Sequence, residues 1–457
     1  MPAMSPNRRQ FLGSLASAGA AALAPPWTRA RASAQTVLRV DAARLRQELE
    51  ALSVFGRPPG GSFADGVSRT AYSDADVAGR AYVMDLMREV GLAPRVDPAG
   101  NIYARRAGRD ASLPPILFGS HIDSVPEGGN FDGDLGVLAS IEVIRAIGAA
   151  GLVTRHPLEV AVWAHEEGGT FPNGLNGSRA VAGELFAGEL DQVWKGLRKA
   201  DGIRRIGGSP DRIAEARRDG WFRAYLELHI EQGGTLDRDG VPIGVVEGIV
   251  AITRYRATIT GFANHAGTTA MADRQDALVA AARLVLAVRE EVTRVPGRQV
   301  GTVGHIEVSP NATNVIPGRV EHAIELRDLS EEKLASIAEA IKGRAAAIAA
   351  GTKTAIAIEP VGGYAGALAA EPVKAAIERA AGALSLGHVR MPSGAGHDAQ
   401  MMARLGPMGM IFVPSVGGVS HSPKELTRWE DCARGADVLL GAVLALDTAM
   451  GGPTVGA

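Results

Sequence analysis

Four short apolar runs are the clearest pattern along the chain. They are residues 114–120, 157–164, 224–230 and 408–415, which read PPILFGS, PLEVAVWA, AYLELHI and MGMIFVPS. Bounded runs of this length are typical of strands at the centre of a sheet that helices cover on both faces. Each run leads directly into unusual polar residues. Because ligands of open α/β sheets bind beyond the strand ends, we expect the functional site to lie there.

Two amphipathic patterns precede these runs. Residues 36–56 predict one helix and residues 72–91 predict a second. Ser73, with Asp76 three residues later, marks the predicted start of the second helix, and Gly91 marks its end.

The order of predicted elements changes between residues 249 and 363. A strand, a helix, two strands, a helix and a strand follow one another there. This βαββαβ order is typical of a ferredoxin-like α/β domain with an antiparallel sheet. We therefore predict a main domain formed by residues 35–248 and 364–457, with residues 249–363 inserted into it. The predicted hinges are residues 240–248 and 362–366.

The first 34 residues have the pattern of an export signal. The pair Arg8 and Arg9 precedes a modest apolar stretch that ends at Leu23, and small residues precede and include Ala34. This pattern predicts a Tat-type signal peptide, cleavage near Ala34 and a periplasmic location. A disordered or amphipathic N-terminus is the alternative. The apolar stretch is too short and too rich in alanine and glycine to predict a membrane span.

Composition narrows the possible chemistry. The chain has 457 residues and a formal net charge of -2, with 44 basic and 50 acidic residues after the first 34. This balance does not indicate a nucleic-acid-binding protein. Cys432 is the single cysteine, which excludes an intramolecular disulfide and a cysteine-based metal cluster. A metal site would therefore use histidine and carboxylate ligands.

The first polar cluster follows the run at residues 114–120. It contains His121 and Asp123, and Asp132 comes eleven residues after His121. In a His-x-Asp arrangement the carboxylate can accept the second N–H of the imidazole, which leaves the other nitrogen free for a metal. An isolated His-x-Asp more often reflects incidental polar loop chemistry.

The second cluster is the adjacent pair Glu166 and Glu167. Neighbouring side chains on a regular strand point to opposite faces of the sheet. Gly168 and Gly169 would free the backbone where the strand ends, so that both carboxylates could face the same edge. For an isolated pair a solvated acidic turn is the alternative. Two unpaired carboxylates repel each other, and a divalent cation would relieve that repulsion.

Two further histidines complete the pattern. His229 lies in a run otherwise suited to burial, where a hydrogen-bonded core histidine is the alternative, and His421 follows the last run on a glycine-rich loop. The four runs together deliver three histidines, two acids and one spare glutamate. That inventory fits two divalent ions roughly 3.5–4 Å apart, bridged by a carboxylate, with the spare glutamate as general base.

Eight motifs occur in order along the chain after the predicted signal. They are GSHIDSV, FDGDLGV, HEEGGTF, ELHIEQGG, NHAGTTAM, NVIPGRVEHAIELRD, SGAGHDAQ and GVSHSP. Together they resemble the dinuclear metal amidohydrolases of the hydantoinase/carbamoylase family. That family includes N-carbamoyl-L-amino acid hydrolases, allantoate amidohydrolases and β-ureidopropionases, which are relatives of the zinc amino- and carboxypeptidases.

The resemblance implies a fold and a metal site. The main domain would be a zinc-peptidase-like catalytic domain with a mixed central sheet flanked by helices, and the inserted domain a lid that also forms the contact of a homodimer. Glu166 would be the general base, and Asp123 would orient one ligand. The five implied ligands are Asp132 as the bridge, His121 and His229 for one ion, and Glu167 and His421 for the other. Zn, Mn and Co all suit such ligands.

The resemblance also implies a substrate pocket. Its residues are Gln232, His265, Asn314, Arg327, Ser393, Gly394 and Ala395. Arg327 would hold a substrate carboxylate, and an ion pair with Glu325 or Asp328 is the alternative. His265 would donate to the oxyanion, and together with Asn314 it would reach the metal site of the partner subunit. A surface-loop histidine is the alternative for His265.

The implied reaction is hydrolysis of a ureido or amide C–N bond in an N-carbamoyl-L-amino acid or a similar carboxylate-bearing substrate. An allantoate amidohydrolase and an aminoacylase or peptidase with the same metal site are the alternatives within this chemistry. An exported solute-binding protein is an alternative from another class, but a binding protein does not need the general base Glu166. His397 and Asp398 resemble further ligands, but five ligands already complete both metal sites.

Overall fold

The computed structural model describes residues 37–449. The predicted signal peptide, residues 1–34, lies outside the described residues. Over the described range, every helix is too short or too polar to cross a membrane.

The described residues form eleven α-helices and fifteen strands. The helices are α1 (Ala42–Leu52), α2 (Asp74–Glu89), α3 (Asp134–Ala149), α4 (Asn176–Ala182), α5 (Lys199–Arg205), α6 (Thr235–Asp239), α7 (Ala277–Thr293), α8 (Glu331–Thr352), α9 (Glu371–Ala383), α10 (Asp398–Met402) and α11 (Trp429–Ala449). The strands are β1 (Arg95–Val96), β2 (Ile102–Arg106), β3 (Ile116–His121), β4 (Leu158–Trp163), β5 (Val193–Trp194), β6 (Leu197–Arg198), β7 (Ala224–Ile230), β8 (Ile243–Ile249), β9 (Ala251–Thr260), β10 (Val300–Ser309), β11 (Arg319–Asp328), β12 (Ala355–Tyr364), β13 (Ala367–Leu368), β14 (His388–Ser393) and β15 (Met408–Val413).

A mixed sheet of nine strands forms the centre of the molecule. Its order is β1-β2-β4-β3-β7-β15-β8-β13, and β14 pairs with β8. The four predicted apolar runs are the adjacent strands β4, β3, β7 and β15, which are parallel to one another and fully buried. The carboxyl ends of all four therefore meet at one edge of the sheet.

Helices cover both faces of this sheet, as the sequence predicts. Phe118 and Leu228 belong to an apolar cluster with residues of α1, α3, α9 and α11. Leu117 and Phe412 belong to the cluster on the opposite face, which includes residues of α4 and α10. Side chains of neighbouring strand residues point to opposite faces, so continuous apolar runs are needed to fill both clusters.

A second, antiparallel sheet of four strands has the order β10-β11-β9-β12. Helices α7 and α8 pack against it and share an apolar core with it. Its elements follow the predicted βαββαβ order. The segment enters after β8 and leaves into β13, and these two strands pair with each other through Ala367 and Ile249. The segment thus starts and ends at neighbouring strands, and its division from the main domain stays a prediction.

Helix α2 begins where the sequence predicts. The Ser73 side chain accepts the N–H of Asp76 and caps the helix. The Asp76 carboxylate in turn accepts the N–H of Tyr72 at 2.7 Å. Gly91 follows the helix with φ of 80°, a left-handed conformation that glycine adopts without strain.

Candidate metal centre

The first group of potential ligands is His121, Asp132 and His229. Asp132 Oδ1 lies 3.5 Å from His121 Nε2 and 3.1 Å from His229 Nε2. One ligand atom of each of the three residues lies within 4.8 Å of the others. His121 ends β3 and His229 lies in the neighbouring β7, so the sheet itself brings the two rings together.

The second group is Asp132, Glu167 and His421. His421 Nε2 lies 3.5 Å from Asp132 Oδ2 and 3.5 Å from Glu167 Oε2. Asp132 therefore belongs to both groups, with one carboxylate oxygen facing each. This arrangement is the one that the predicted bridging role requires.

The chemistry of these groups fits divalent ions. Ligand atoms bound at 2.0–2.1 Å in a tetrahedral site lie about 3.3 Å from one another, close to the distances above. Burial raises the pKa of Glu167 to about 8, and the charge of Asp132 adds to the effect. Although Asp132 Oδ1 lies 3.1 Å away, the buried Nε2 of His229 makes no hydrogen bond with any of the described residues. Bound cations would offset the crowding of carboxylates and give His229 a partner.

Both imidazoles of the first group have their second nitrogen fixed. His121 Nδ1 lies 3.0 Å from the backbone oxygen of Asp123, and His229 Nδ1 lies 3.0 Å from the backbone oxygen of Ile230. A proton on each Nδ1 is donated to a carbonyl, which leaves each Nε2 free to bind a metal. Asp123 thus orients His121, but through its backbone oxygen. Its carboxylate is 3.9 Å away, a correction to the expected contact.

The Asp123 carboxylate instead holds the two adjacent glutamates. It accepts the backbone N–H of Glu166 and that of Glu167, each at 3.1 Å. The residue before the pair, His165, has φ of 52°, whereas neither Gly168 nor Gly169 has a positive φ. The left-handed residue next to the pair is thus His165 and not one of the two glycines. The left-handed turn at His165 lets both carboxylates face the same cavity.

Glu166 lies at the edge of the first group. Its Oε2 is 3.7 Å from His121 Nε2. Burial raises the pKa of Glu166 well above its usual range, nearby carboxylates including Asp398 add to this, and His121 opposes it. A buried carboxylate with a raised pKa is suited to accept and return a proton.

The two groups of potential ligands, called the metal groups below, face a cavity of about 520 Å³. Gln232, Arg327 and Ala395 also line it. Gln232 donates to Asp132 Oδ2 at 2.6 Å. Arg327 donates to Glu325 at 2.8 Å and to the backbone oxygen of Gly394 at 2.6 Å. The ion pair that is the alternative role for Arg327 is thus present, and Arg327 faces the cavity as well.

Ser393 is buried next to this wall. Its hydroxyl donates to the backbone oxygen of Ala395 at 2.9 Å and lies 2.9 Å from His397 Nε2. The hydroxyl shapes the loop that presents the backbone of Gly394 and Ala395.

His265 and Asn314 lie apart from this cavity. They are exposed neighbours on the inserted segment, where the N–H of Ala266 donates to the backbone oxygen of Asn314 at 3.0 Å. His265 Nδ1 accepts the N–H of Gly267 at 2.9 Å. Neither side chain lines the cavity of its own chain. Their predicted reach into the site of a partner subunit stays a prediction.

Two residues that the sequence analysis missed support Asp132. The carboxylate of Glu425 accepts the N–H groups of Phe131 and Asp132. The Ser420 hydroxyl lies 2.9 Å from a carboxylate oxygen of Glu425 and 3.1 Å from Asp132 Oδ2, and its single proton is donated to one of the two. Their position beside His421 in the sequence was the available signal. Burial raises the pKa of Glu425 to about 7, to which the charge of Asp132 contributes.

His397 and Asp398 lie behind the first group. The His397 ring packs edge-on against the His229 ring, with 4.5 Å between their centroids. A ring nitrogen of His397, a ring nitrogen of His229 and a carboxylate oxygen of Glu227 all lie within 4.8 Å of one another. The Asp398 carboxylate accepts the hydroxyl of Ser178. Neither residue belongs to the groups that share Asp132.

Fold and site together define an α/β protein with a candidate two-metal centre at the carboxyl edge of its main sheet. Residues 117–445 match the peptidase family M20/M25/M40, and the chain belongs to this family. It is 42% identical over 406 residues to the N-carbamoyl-L-amino acid amidohydrolase of Geobacillus stearothermophilus, covering 88% of this chain and 98% of that protein. It is 34% identical over 407 residues to the allantoate amidohydrolase of Escherichia coli, covering 86% of this chain and 95% of the relative.

The fold has close counterparts among solved structures. A hydantoinase/carbamoylase family amidase from Burkholderia ambifaria superimposes with a TM-score of 0.82 at 35% identity, covering 90% of this chain and 98% of that one.

Proposed function

We propose that the protein is a metal-dependent amidohydrolase that cleaves the ureido or amide C–N bond of an N-carbamoyl-L-amino acid or a similar carboxylate-bearing substrate. The observation that carries the proposal is the sharing of Asp132 between two histidine-carboxylate groups, with Glu166 at their edge. The relative from Geobacillus stearothermophilus supports the substrate class.

The five ligands would hold two divalent ions, which when bound supply Lewis-acid activation of the carbonyl and of water. Glu166 accepts the proton of the attacking water and returns it to the leaving nitrogen. Arg327 binds the substrate carboxylate through its guanidinium, for which it must share donors with Glu325 and Gly394. Gln232 holds Asp132 and faces the substrate.

We also propose that two chains form a homodimer through the inserted segment. In that dimer His265 and Asn314 of each subunit reach the metal groups of the other, where His265 stabilises the oxyanion. Their exposed positions outside the cavity of their own chain support this arrangement.

Export to the periplasm by the Arg8-Arg9 signal is a further proposal, which fractionation of cells that carry Arg8→Lys and Arg9→Lys together would test.

Allantoate is the second candidate substrate, because a relative that matches 86% of this chain is an allantoate amidohydrolase. Ammonia release from a panel of N-carbamoyl-L-amino acids and allantoate, and release of the free amino acid from N-acetyl amino acids, with metal analysis of the same preparation, test the proposal. Turnover of N-carbamoyl amino acids by metal-loaded protein is expected. A metal-loaded protein that cleaves none of these substrates would overturn the proposal, and cleavage of the N-acetyl amino acids alone would overturn the N-carbamoyl substrate class.

A further inference from the structure

The cavity extends well beyond the metal groups. One part of its wall carries the metal groups, and another carries Arg327 and Gln232. A third part comes from α4, α10 and the residues beside them. Its members are Leu175, Arg179, Glu184, Met401 and Arg404. The function proposed above assigns no task to this third part.

The third part of the wall is built by two short helices. Helices α4 and α10 pack against each other, and the Ser178 hydroxyl joins them by donating to Asp398. The chain that leaves α4 carries Glu184, and the chain that leaves α10 carries Arg404. A guanidinium nitrogen of Arg404 lies 2.7 Å from a carboxylate oxygen of Glu184, with the side chains 40% and 42% exposed. This ion pair marks the end of the wall that solvent reaches.

The electrostatic balance at this end is positive. Arg179 donates to both carboxylate oxygens of Glu189, at 2.7 Å and 2.9 Å. The buried Lys199 lies 3.0 Å from the same carboxylate. Of the charged side chains that line this part of the wall itself, Arg179 and Arg404 are cationic and Glu184 is anionic. The excess positive charge favours an anionic group here.

Arg404 is the cationic side chain of this wall that is available to bind a ligand. Arg179 is largely buried and held by two bonds to Glu189, so releasing it would break two buried charge-assisted hydrogen bonds. The pair of Arg404 with Glu184 is exposed to solvent, where an ion pair contributes little to stability. A ligand carboxylate can therefore bind Arg404 without disrupting the fold.

We propose that this third part of the wall is a subsite for an acidic amino-acid side chain, with Arg404 binding its terminal carboxylate. This inference rests on the proposed function. If Arg327 binds the α-carboxylate of the substrate and the ureido carbonyl lies at the metal ligands, the side chain of the substrate points along the third part of the wall. Leu175 and Met401 offer apolar contact to its methylene groups.

The test compares three substrates with the metal-loaded enzyme: N-carbamoyl-L-glutamate, N-carbamoyl-L-norleucine and N-carbamoyl-L-lysine. Wild type should show the highest kcat/KM with the glutamate substrate. Arg404→Met should lower that value by about 10- to 100-fold, the worth of a charge-assisted bond, and change the norleucine value by less than about threefold. Glu184→Gln, which frees Arg404, should raise kcat/KM for the glutamate substrate.

Arg428→Met is the matched control, since Arg428 is an exposed arginine that pairs with Asp237 and does not line the cavity. It should leave all three values unchanged. An unaltered substrate preference in Arg404→Met, or an equal loss with all three substrates, would overturn the inference while leaving the proposed function intact.

Failure of the proposed function gives a different result, because wild type would then turn over none of the three substrates. The subsite is still tested in that case by binding. Free L-glutamate should raise the Tm of the metal-loaded wild type more than free L-norleucine does, and Arg404→Met should abolish the difference. Equal effects of the two amino acids on wild type would overturn the inference on binding alone.

Discussion

The carboxylate of Asp123 accepts the backbone N–H of Glu166 at 3.1 Å, although 43 residues separate the two in the chain. Its other oxygen accepts the N–H of Glu167 at the same distance. One side chain on the loop after β3 thus fixes the backbone of two functional residues after β4. Asp123 therefore acts on the proposed proton carrier and on a proposed ligand together.

Asp123→Asn should impair both glutamates. The amide keeps one acceptor but turns an NH₂ group towards the other backbone N–H, so one hydrogen bond is lost and two donors face each other. We expect kcat or metal affinity to fall about 10- to 100-fold, as for other residues that orient metal ligands. Turnover and metal content of the purified variant measure the effect. Asp85→Asn, on an exposed aspartate paired with Arg88, is the control and should match wild type.

Metal content should depend on which ligand is removed. Asp132 belongs to both groups, so Asp132→Ala should lose both ions, whereas His421→Ala should chiefly lose the ion held with Glu167. Elemental analysis after dialysis gives the stoichiometry of each variant. Equal metal content in the two variants would contradict a shared Asp132.

Loss of the ions should also lower stability. Ions bound only to the folded state stabilise it by mass action, and their removal leaves the buried carboxylates to repel one another. A chelator should therefore lower the Tm of wild type, and added Zn, Mn or Co should restore it. A Tm that chelation does not change would argue against ions at these groups.

The partner contribution of His265 can be tested by mixing two inactive variants. In a heterodimer of Glu166→Gln with His265→Ala, the site of the His265→Ala subunit has its own intact Glu166. It receives an intact His265 from the Glu166→Gln subunit, so this one of the two sites is complete. With random exchange of subunits, activity should return to about 25% of wild type. If His265 acts within its own chain, every site lacks one of the two groups and the mixture stays inactive.

Acid should destabilise the inserted segment through His322. This histidine is 1% exposed, and neither ring nitrogen has a hydrogen-bond partner among the described residues. Burial lowers its pKa to about 4. The unfolded chain, with a pKa near 6.5, binds the proton more strongly, so stability is complete above about pH 6.5 and falls as the pH drops towards 4.

His322→Leu should remove this dependence. We expect the variant to gain stability relative to wild type as the pH falls: the difference in free energy of unfolding, variant minus wild type, should be about 2 kcal/mol larger at pH 5 than at pH 7.5. Denaturant titrations at both pH values measure it. His305→Leu, on an exposed histidine of β10, is the control and should show no such pH-dependent gain.

Much of the fold follows from local patterns. The runs at residues 114–120 and 408–415 have apolar side chains on both faces, as strands of a sheet covered on both sides do, and they correspond to β3 and β15. Parallel strands share a carboxyl edge, so the polar residues that follow them had to meet. For that reason the sequence alone predicts that His121, Asp132, His229 and His421 lie together.

Other features depend on contacts between distant parts of the chain. Nothing near Asp123 in the sequence shows that its carboxylate holds Glu166 while its backbone oxygen holds His121. The left-handed conformation of His165 is equally hidden, since histidine adopts it far less readily than glycine. Both features arise from the packing of the loops at the sheet edge.

The central claim is that Glu166 carries the proton while Glu167 holds an ion, and paired glutamine variants test it most directly. Metal content and kcat are measured on Glu166→Gln and Glu167→Gln purified in the same way. Glu166→Gln should keep both ions and lose turnover by roughly 10²-fold or more, because the amide cannot accept the proton. Glu167→Gln should lose metal. Near-normal turnover by Glu166→Gln with both ions bound would contradict the account.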